Sequence, residues 1–278
     1  MKIKSLVFHL TAENNGFLHK YNGPLMRAAF LKIIQNQNPS LADNLHDTDK
    51  RSPYYITSLK PSPFINVKTG KNRKEYQVRT GQKYFSKINV LEEDVFKTLI
   101  SGLFTDSNLK KIRIGNIYFS IDNIEVNSYG LDDLLKKDVT NVKISFNSPT
   151  FFKTTDGAAG IEYFPRPTTI FKFIVNQWNS FPVEEKHMPP TDFLDWIRKN
   201  VKISSFKIRT DSSHVMKKVP IMGTIGWVKY SWKNEENISK WIPILLKYAE
   251  LTGLGGLRTA GYGEIEVMFG TVKGSKTK

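Results

Sequence analysis

Five histidines and no cysteine set the limits of the acid–base and metal chemistry open to this chain. Without thiols there are no disulfides and no thiolate metal sites. No H-x-E or His/Cys spacing marks a metal centre either. Histidine suits proton transfer because its ordinary pKa is about 6.5. His9 falls in an alternating apolar run and reads as structural, His19 lies in a loop before a helix, and His187 and His214 read as solvated loop residues. His46 is different. It closes a short helical turn and is followed closely by Lys50 and Arg51, so one loop carries a proton-transfer group and two cations. A helix C-terminus also favours histidine through the macrodipole, so the local pattern alone leaves both readings open.

The second chemical signal is a glycine-rich stretch near the C-terminus, LTGLGGLRTAGYGEIEVM, in which Gly253, Gly255, Gly256, Gly261 and Gly263 surround Arg258. Glycines let backbone N–H groups come close to a ligand, and at a junction of regular elements such donors favour an anion. Two phosphate motifs are excluded. There is no G-K-[ST], and the G-x-G at Gly253 and Gly255 follows a helical run rather than a strand. A plain helix-to-strand turn accounts for the loop equally well.

Charge is the strongest global fact. Forty-one Lys and Arg against 26 Asp and Glu leave a net +15 over 278 residues. A lysine-rich proteome would also raise this figure, but the charge is clustered. Lys60, Lys68, Lys71, Arg73, Lys74, Arg79, Lys83 and Lys87 are interrupted by one acid, Glu75. A folded basic chain with such a patch points to a polyanion, most often nucleic acid. No apolar run approaches the length of a membrane span, and MKIKSLVFHL is too short and too charged for a signal peptide. The expectation is a cytoplasmic protein with no membrane partner.

These residues need elements to hold them. Residues 2–10 alternate as a strand; Pro24 fits the first turn of a helix running to about Asn36; Asn38-Pro39 breaks it before a short helical turn ending at His46. Residues 54–59 read as a strand, 64–67 and 76–79 as a basic hairpin, 92–103 as a helix, and 111–121 with 124–126 as strands. That order is βαββαβ, the ferredoxin-like unit. It recurs after residue 140, with a strand at 142–146, a helix at 169–181, a short helix at 192–199, strands at 201–209 and 219–232, a helix at 238–250 and a last strand at 264–269. The expected fold is therefore α+β, two tandem ferredoxin-like (RRM-like) domains, residues 1–130 and 139–278, with a C-terminal glycine-rich loop.

Three ordered stretches resemble one family. Tyr21-Asn22 leads into the first helix and then NPSLADNLHD; SPTFFK and YFPRPTTIFKFIVNQWNSF open the second half; GLGGLRTAGYGEIEV closes the chain. Together they resemble the CRISPR-associated repeat-processing endoribonucleases, the precursor-crRNA-cleaving branch of the RAMP superfamily, over nearly the whole length.

The resemblance implies metal-independent cleavage of CRISPR repeat RNA, with no cofactor, in which a ribose 2′-hydroxyl attacks the adjacent phosphate. It implies His46 as the catalytic histidine. The tyrosine that some members carry on the first helix falls at Leu31, which can do no such chemistry. The position used by other members falls at Arg27, one turn earlier, where a guanidinium can stabilise the phosphorane. Lys50 and Arg51 both fit the lysine found after the histidine. Lys153, Arg166 and Arg258, with the backbone of Gly255 and Gly256, are the expected RNA-backbone contacts, and Lys71, Arg73, Lys74 and Arg79 the expected electrostatic track. Tyr54, Tyr55 and Tyr76 are candidate stacking platforms, although a core role fits them better. The implied partners are precursor crRNA, a second copy of the chain in a homodimer, and a CRISPR effector complex receiving the product. Two other classes cover part of the pattern. A non-catalytic RAMP-type crRNA-binding subunit fits the glycine loop and the missing tyrosine. A basic RNA-binding protein of the translation machinery explains the charge but not the three ordered motifs.

Overall fold

The computed structural model describes residues 2–46, 51–62, 74–105, 111–136, 139–154, 160–184, 187–213, 220–233 and 236–271. Over these residues the chain forms two compact units. One is drawn from Met1–Tyr129, Ser213–Pro220 and Leu257–Tyr262, the other from Gly130–Ser212, Ile221–Gly256 and Gly263–Lys278.

The first unit starts with strand β1 (Ile3–Ala12) and the short β2 (Gly16–His19). Helix α1 (Gly23–Gln37) has proline in its first turn, where the missing N–H costs nothing, and buries Met26, Phe30, Ile33 and Ile34 along one stripe. Asn38 then ends one helix and starts the next. Its N–H donates to the Ile34 carbonyl at 2.8 Å, while its side-chain oxygen accepts the Leu41 N–H at 3.0 Å. The second helix, α2 (Pro39–His46), buries Ala42 and Leu45 and leaves His46 at its C-terminal end.

After β3 (Tyr54–Ile56), β4 (Lys60–Pro61) and β5 (Glu75–Val78) come β6 (Lys83–Val90), α3 (Glu93–Thr105), β7 (Lys111–Ile114) and β8 (Ile117–Tyr129). The sheet order is β3-β6-β1-β8-β7, with β4 also on β6 and every pairing antiparallel. Reading β1, α1, β3, β6, α3, β8 along the chain gives the ferredoxin-like unit. Leu6, Phe8 and Leu10 of β1 join Phe30, Ile34, Ile88, Val95 and Leu99 in one buried core.

Two expectations are corrected here. The third ferredoxin strand is β6, not residues 76–79. Its inward positions Tyr84, Ser86, Ile88 and Val90 are buried, but Lys83, Lys87 and Asn89 dilute the apolar signal. Residues 75–78 instead pair with β2, Tyr76 facing Leu18; the expected partner, 64–67, lies outside the described residues. The expected break between 121 and 124 is one continuous strand with a register shift, where Leu10 pairs with Ile121 and His9 with Asn123.

The second unit has a short helix α4 (Leu131–Leu134), then β9 (Val139–Thr150), the hairpin β10 (Phe152–Lys153) and β11 (Ile161–Glu162), α5 (Pro167–Ser180), α6 (Phe193–Asn200), β12 (Lys202–Ser213), β13 (Ile221–Ser231), α7 (Glu236–Ser239), α8 (Trp241–Thr252) and β14 (Ile265–Thr271). Its sheet order β12-β13-β9-β14 reproduces the order β3-β6-β1-β8 of the first unit. Trp178 of α5 is fully buried and meets Trp241 and Tyr248 of α8 edge-on at 5.9 and 5.0 Å. The tandem ferredoxin-like fold is present. Among the described residues no helix is long and apolar enough to cross a membrane.

Candidate active site

Arg27 stands on α1 one turn before Leu31, half-buried, with its guanidinium directed at the end of α2. Its Nε–H donates to the Tyr54 hydroxyl at 3.1 Å. One terminal nitrogen reaches the Leu45 and His46 carbonyls at 3.5 Å, the weak limit of a hydrogen bond. The guanidinium is thus held firmly by one edge, with the exposed His46 beside it.

Tyr54 is fully buried, and burial pushes its phenol above the ordinary tyrosine range. Arg27, a side-chain hydrogen bond with Thr259 and the charge of Arg258 oppose that shift. The phenol stays neutral at physiological pH and serves as a fixed acceptor between two cations.

Arg258 and Thr259 arrive on the glycine-rich loop, in a 3₁₀ turn spanning Arg258–Ala260. Arg258 is only 7% exposed, and its guanidinium donates to the Ser52 carbonyl at 3.1 Å. The turn lies against the start of α1 because Gly261, at φ +79°, lets the backbones touch. A Cβ there would meet Gly23 at 2.7 Å and the Ser58 hydroxyl at 3.1 Å.

The structure therefore gathers Arg27, His46 and Arg258 in the first unit, joined by Tyr54, Thr259 and Ser52. Arg51 is exposed next to Ser52. Lys50, Lys71 and Arg73 lie outside the described residues. Lys74 is half-buried, and its carbonyl accepts the Lys20 N–H at 2.6 Å; Arg79 is exposed, with Gln77 at 3.5 Å. Lys153, Arg166, Gly255 and Gly256 belong to the second unit. There Lys153 is exposed in a hairpin opposite Ile161, and Arg166 pairs with Glu162 at 3.0 Å at the start of α5. Gly255 and Gly256 press against Phe151, whose carbonyl takes the Gly256 N–H at 2.8 Å. Tyr54, Tyr55 and Tyr76 are all buried, the core role that suited them better than stacking.

Sequence reasoning missed Tyr54 as the partner of Arg27, together with Ser52 and Thr259. The available signal was a tyrosine shortly after the histidine loop, at the start of a β-branched and aromatic run. Its hydroxyl had to find a polar partner.

The sequence and the fold have known counterparts. Residues 144–265 match the family model described as CRISPR-associated endoribonuclease Cas6. A Cas6 endoribonuclease of Streptococcus thermophilus is 24% identical over 183 residues, covering 63% of this chain and 70% of that protein. A product complex of Thermus thermophilus Cas6 superposes with a TM-score of 0.73 at 14% identity, covering 96% of this chain and 99% of the other. A RAMP protein solved for its binding of different RNA substrates gives a TM-score of 0.64 at 13% identity, with 95% and 99% covered. These likenesses bear out the resemblance read from the sequence, and those to the solved structures bear out the fold.

Proposed function

We propose that this chain, a relative of the CRISPR repeat-processing endoribonucleases, cleaves repeat RNA in precursor transcripts without a metal, leaving 2′,3′-cyclic phosphate and 5′-hydroxyl ends. The observation that carries the reading is the Arg27 guanidinium, fixed 3.1 Å from the Tyr54 hydroxyl with one terminal nitrogen 3.5 Å from the His46 backbone carbonyl. The substrate contains its own nucleophile, so the protein has to supply proton transfer and charge. The ribose 2′-hydroxyl loses its proton as its oxygen bonds to phosphorus; the P–O5′ bond breaks and the leaving oxygen takes up a proton. His46 transfers one of these protons. Arg27 stabilises the added negative charge of the phosphorane, and Arg51, with Lys50, adds to the positive field.

The track of Lys71, Arg73, Lys74 and Arg79, and the cations Lys153 and Arg166, would hold the RNA backbone without reading its bases. Homodimerisation and transfer of the product to a CRISPR effector complex belong to the same reading.

The test is a cleavage assay on the host repeat RNA in EDTA, with both new ends mapped. A single cut with a cyclic phosphate is expected. A substrate with 2′-deoxyribose at the scissile nucleotide should bind and stay intact; its cleavage would overturn the intramolecular mechanism. Activity lost in EDTA and restored by magnesium would overturn metal independence. One feature favours a second reading: Leu31 stands where the resemblance calls for a tyrosine. Tight binding without any cleavage would therefore point to a crRNA-binding subunit.

A further inference from the structure

On the reading of this chain as a repeat-cleaving enzyme, we infer that Arg258 and Tyr54 are positioning residues, through which the glycine-rich loop fixes Arg27 and the backbone at Ser52 instead of contacting RNA phosphates. A phosphate ligand must present its guanidinium at the surface, and Arg258 is 7% exposed with one terminal nitrogen on the Ser52 carbonyl.

The turn that delivers it is rigidly built. Leu257 sits in the left-handed region at φ 56° and ψ 32°, Ala260 N–H closes on the Leu257 carbonyl at 2.9 Å, and Gly261 N–H closes on the Arg258 carbonyl at 3.2 Å. Two consecutive residues of this turn then act on one stretch of chain. Arg258 takes the carbonyl of Ser52, and Thr259 takes the hydroxyl of Tyr54, two residues on. Tyr54 passes the constraint to Arg27 through its Nε–H.

An arginine side chain is long, and holding it in one pose opposes its rotamer entropy. A buried neutral acceptor at Nε aligns the planar fork in advance, so less ordering remains for the RNA to impose. Both Arg258 and Tyr54 lie under the surface, so their loss should act mainly on the rate and lower affinity no further than the loss of Arg27 itself does. Displacing a charge-stabilising group by about 1 Å costs on the order of 100-fold in rate.

The experiment measures the single-turnover rate at saturating protein, and separately the affinity for an uncleavable 2′-deoxy repeat across a salt series. Tyr54→Phe and Arg258→Gln should slow cleavage about 10- to 100-fold, with the salt slope unchanged and the affinity no lower than in Arg27→Ala. Arg258→Lys should recover part of the rate, since an ammonium can still donate to the Ser52 carbonyl. Tyr54→Phe should add nothing in an Arg27→Ala background, because it acts through Arg27.

The inference is overturned if Arg258→Gln cuts at the wild-type rate while its salt slope becomes shallower by about 0.7, the share of one single-strand phosphate. It is equally overturned if the Tyr54 and Arg27 effects multiply. Tyr54→Phe removes one oxygen, so it remains informative should the Arg258 variants fail to fold. A wild-type protein that binds repeat RNA and never cuts it would end the enzyme reading instead. The contact itself is then decided by the NMR signal of the Arg27 Nε–H. Slow solvent exchange lost in Tyr54→Phe supports the positioning role, and fast exchange in the wild type refutes it.

Discussion

His46 and Arg27 divide the work in a way that mutation can separate. The imidazole is exposed at the end of α2, whereas the guanidinium is half-buried and tied to Tyr54. A neutral imidazole adds little to phosphate binding, so His46→Ala should lower the single-turnover rate by roughly 10²–10⁴-fold while repeat affinity stays close to wild type. Arg27→Ala should slow cleavage too, with part of its loss appearing as weaker binding, because a guanidinium also holds the ground-state phosphate. The double variant should lose less than the two single losses combined, since groups serving one transition state are not additive. An unchanged rate in His46→Ala would leave the enzyme reading without its proton-transfer group. His46 could be singled out in the sequence as a candidate, because a helix end, a histidine and following cations are adjacent in the chain. Tyr54 was not legible as its neighbour's anchor, because its hydrogen bond to Arg27 joins residues that are distant in sequence.

At the scale of elements, α1 is placed by Asn22. This side chain is wholly buried; its amide donates to the Leu59 carbonyl at 3.0 Å and to the Tyr76 hydroxyl at 2.9 Å, and its oxygen accepts the Leu59 N–H at 2.7 Å. Asn22→Ala would leave the Leu59 N–H buried without this acceptor, at a cost of about 1–3 kcal/mol. Urea unfolding should register that loss as a lower midpoint. A change below about 0.5 kcal/mol, typical of an ordinary surface substitution, would show that the network contributes little. Elements with local signals were readable: Pro24 marked the start of α1, and Asn38-Pro39 marked the junction with α2. Strand β6 escaped because Ser86 on its buried face and Phe85 on the other break the alternation, and its membership is set by β1 and β3 on either side. The pairing of β2 with β5 joins residues from opposite ends of the first helical stretch, which no turn motif announces.

At the scale of the whole molecule, the repeated βαββαβ order was readable because each unit keeps it along the chain. The assignment of Leu257–Tyr262 to the first unit was not, since local periodicity places those residues with the helix and strand that flank them in the second. The net charge of +15 is a global property, and its consequence is a salt dependence. If the basic track and the second-unit cations together neutralise about five phosphates of single-stranded repeat RNA, the logarithm of the association constant should fall against the logarithm of salt concentration with a slope of about −3.5. The cleavage rate at saturating protein should follow salt much less, because Arg27 is held by a buried phenol and short-range contacts are screened weakly. Replacing Lys71, Arg73 and Lys74 together should make the binding slope shallower and leave the cut at the same phosphate. A flat salt titration would remove the basic cluster from the RNA path. A displaced cut would mean that these residues set the register of the repeat, so that charge would be choosing the scissile bond as well as attracting the strand.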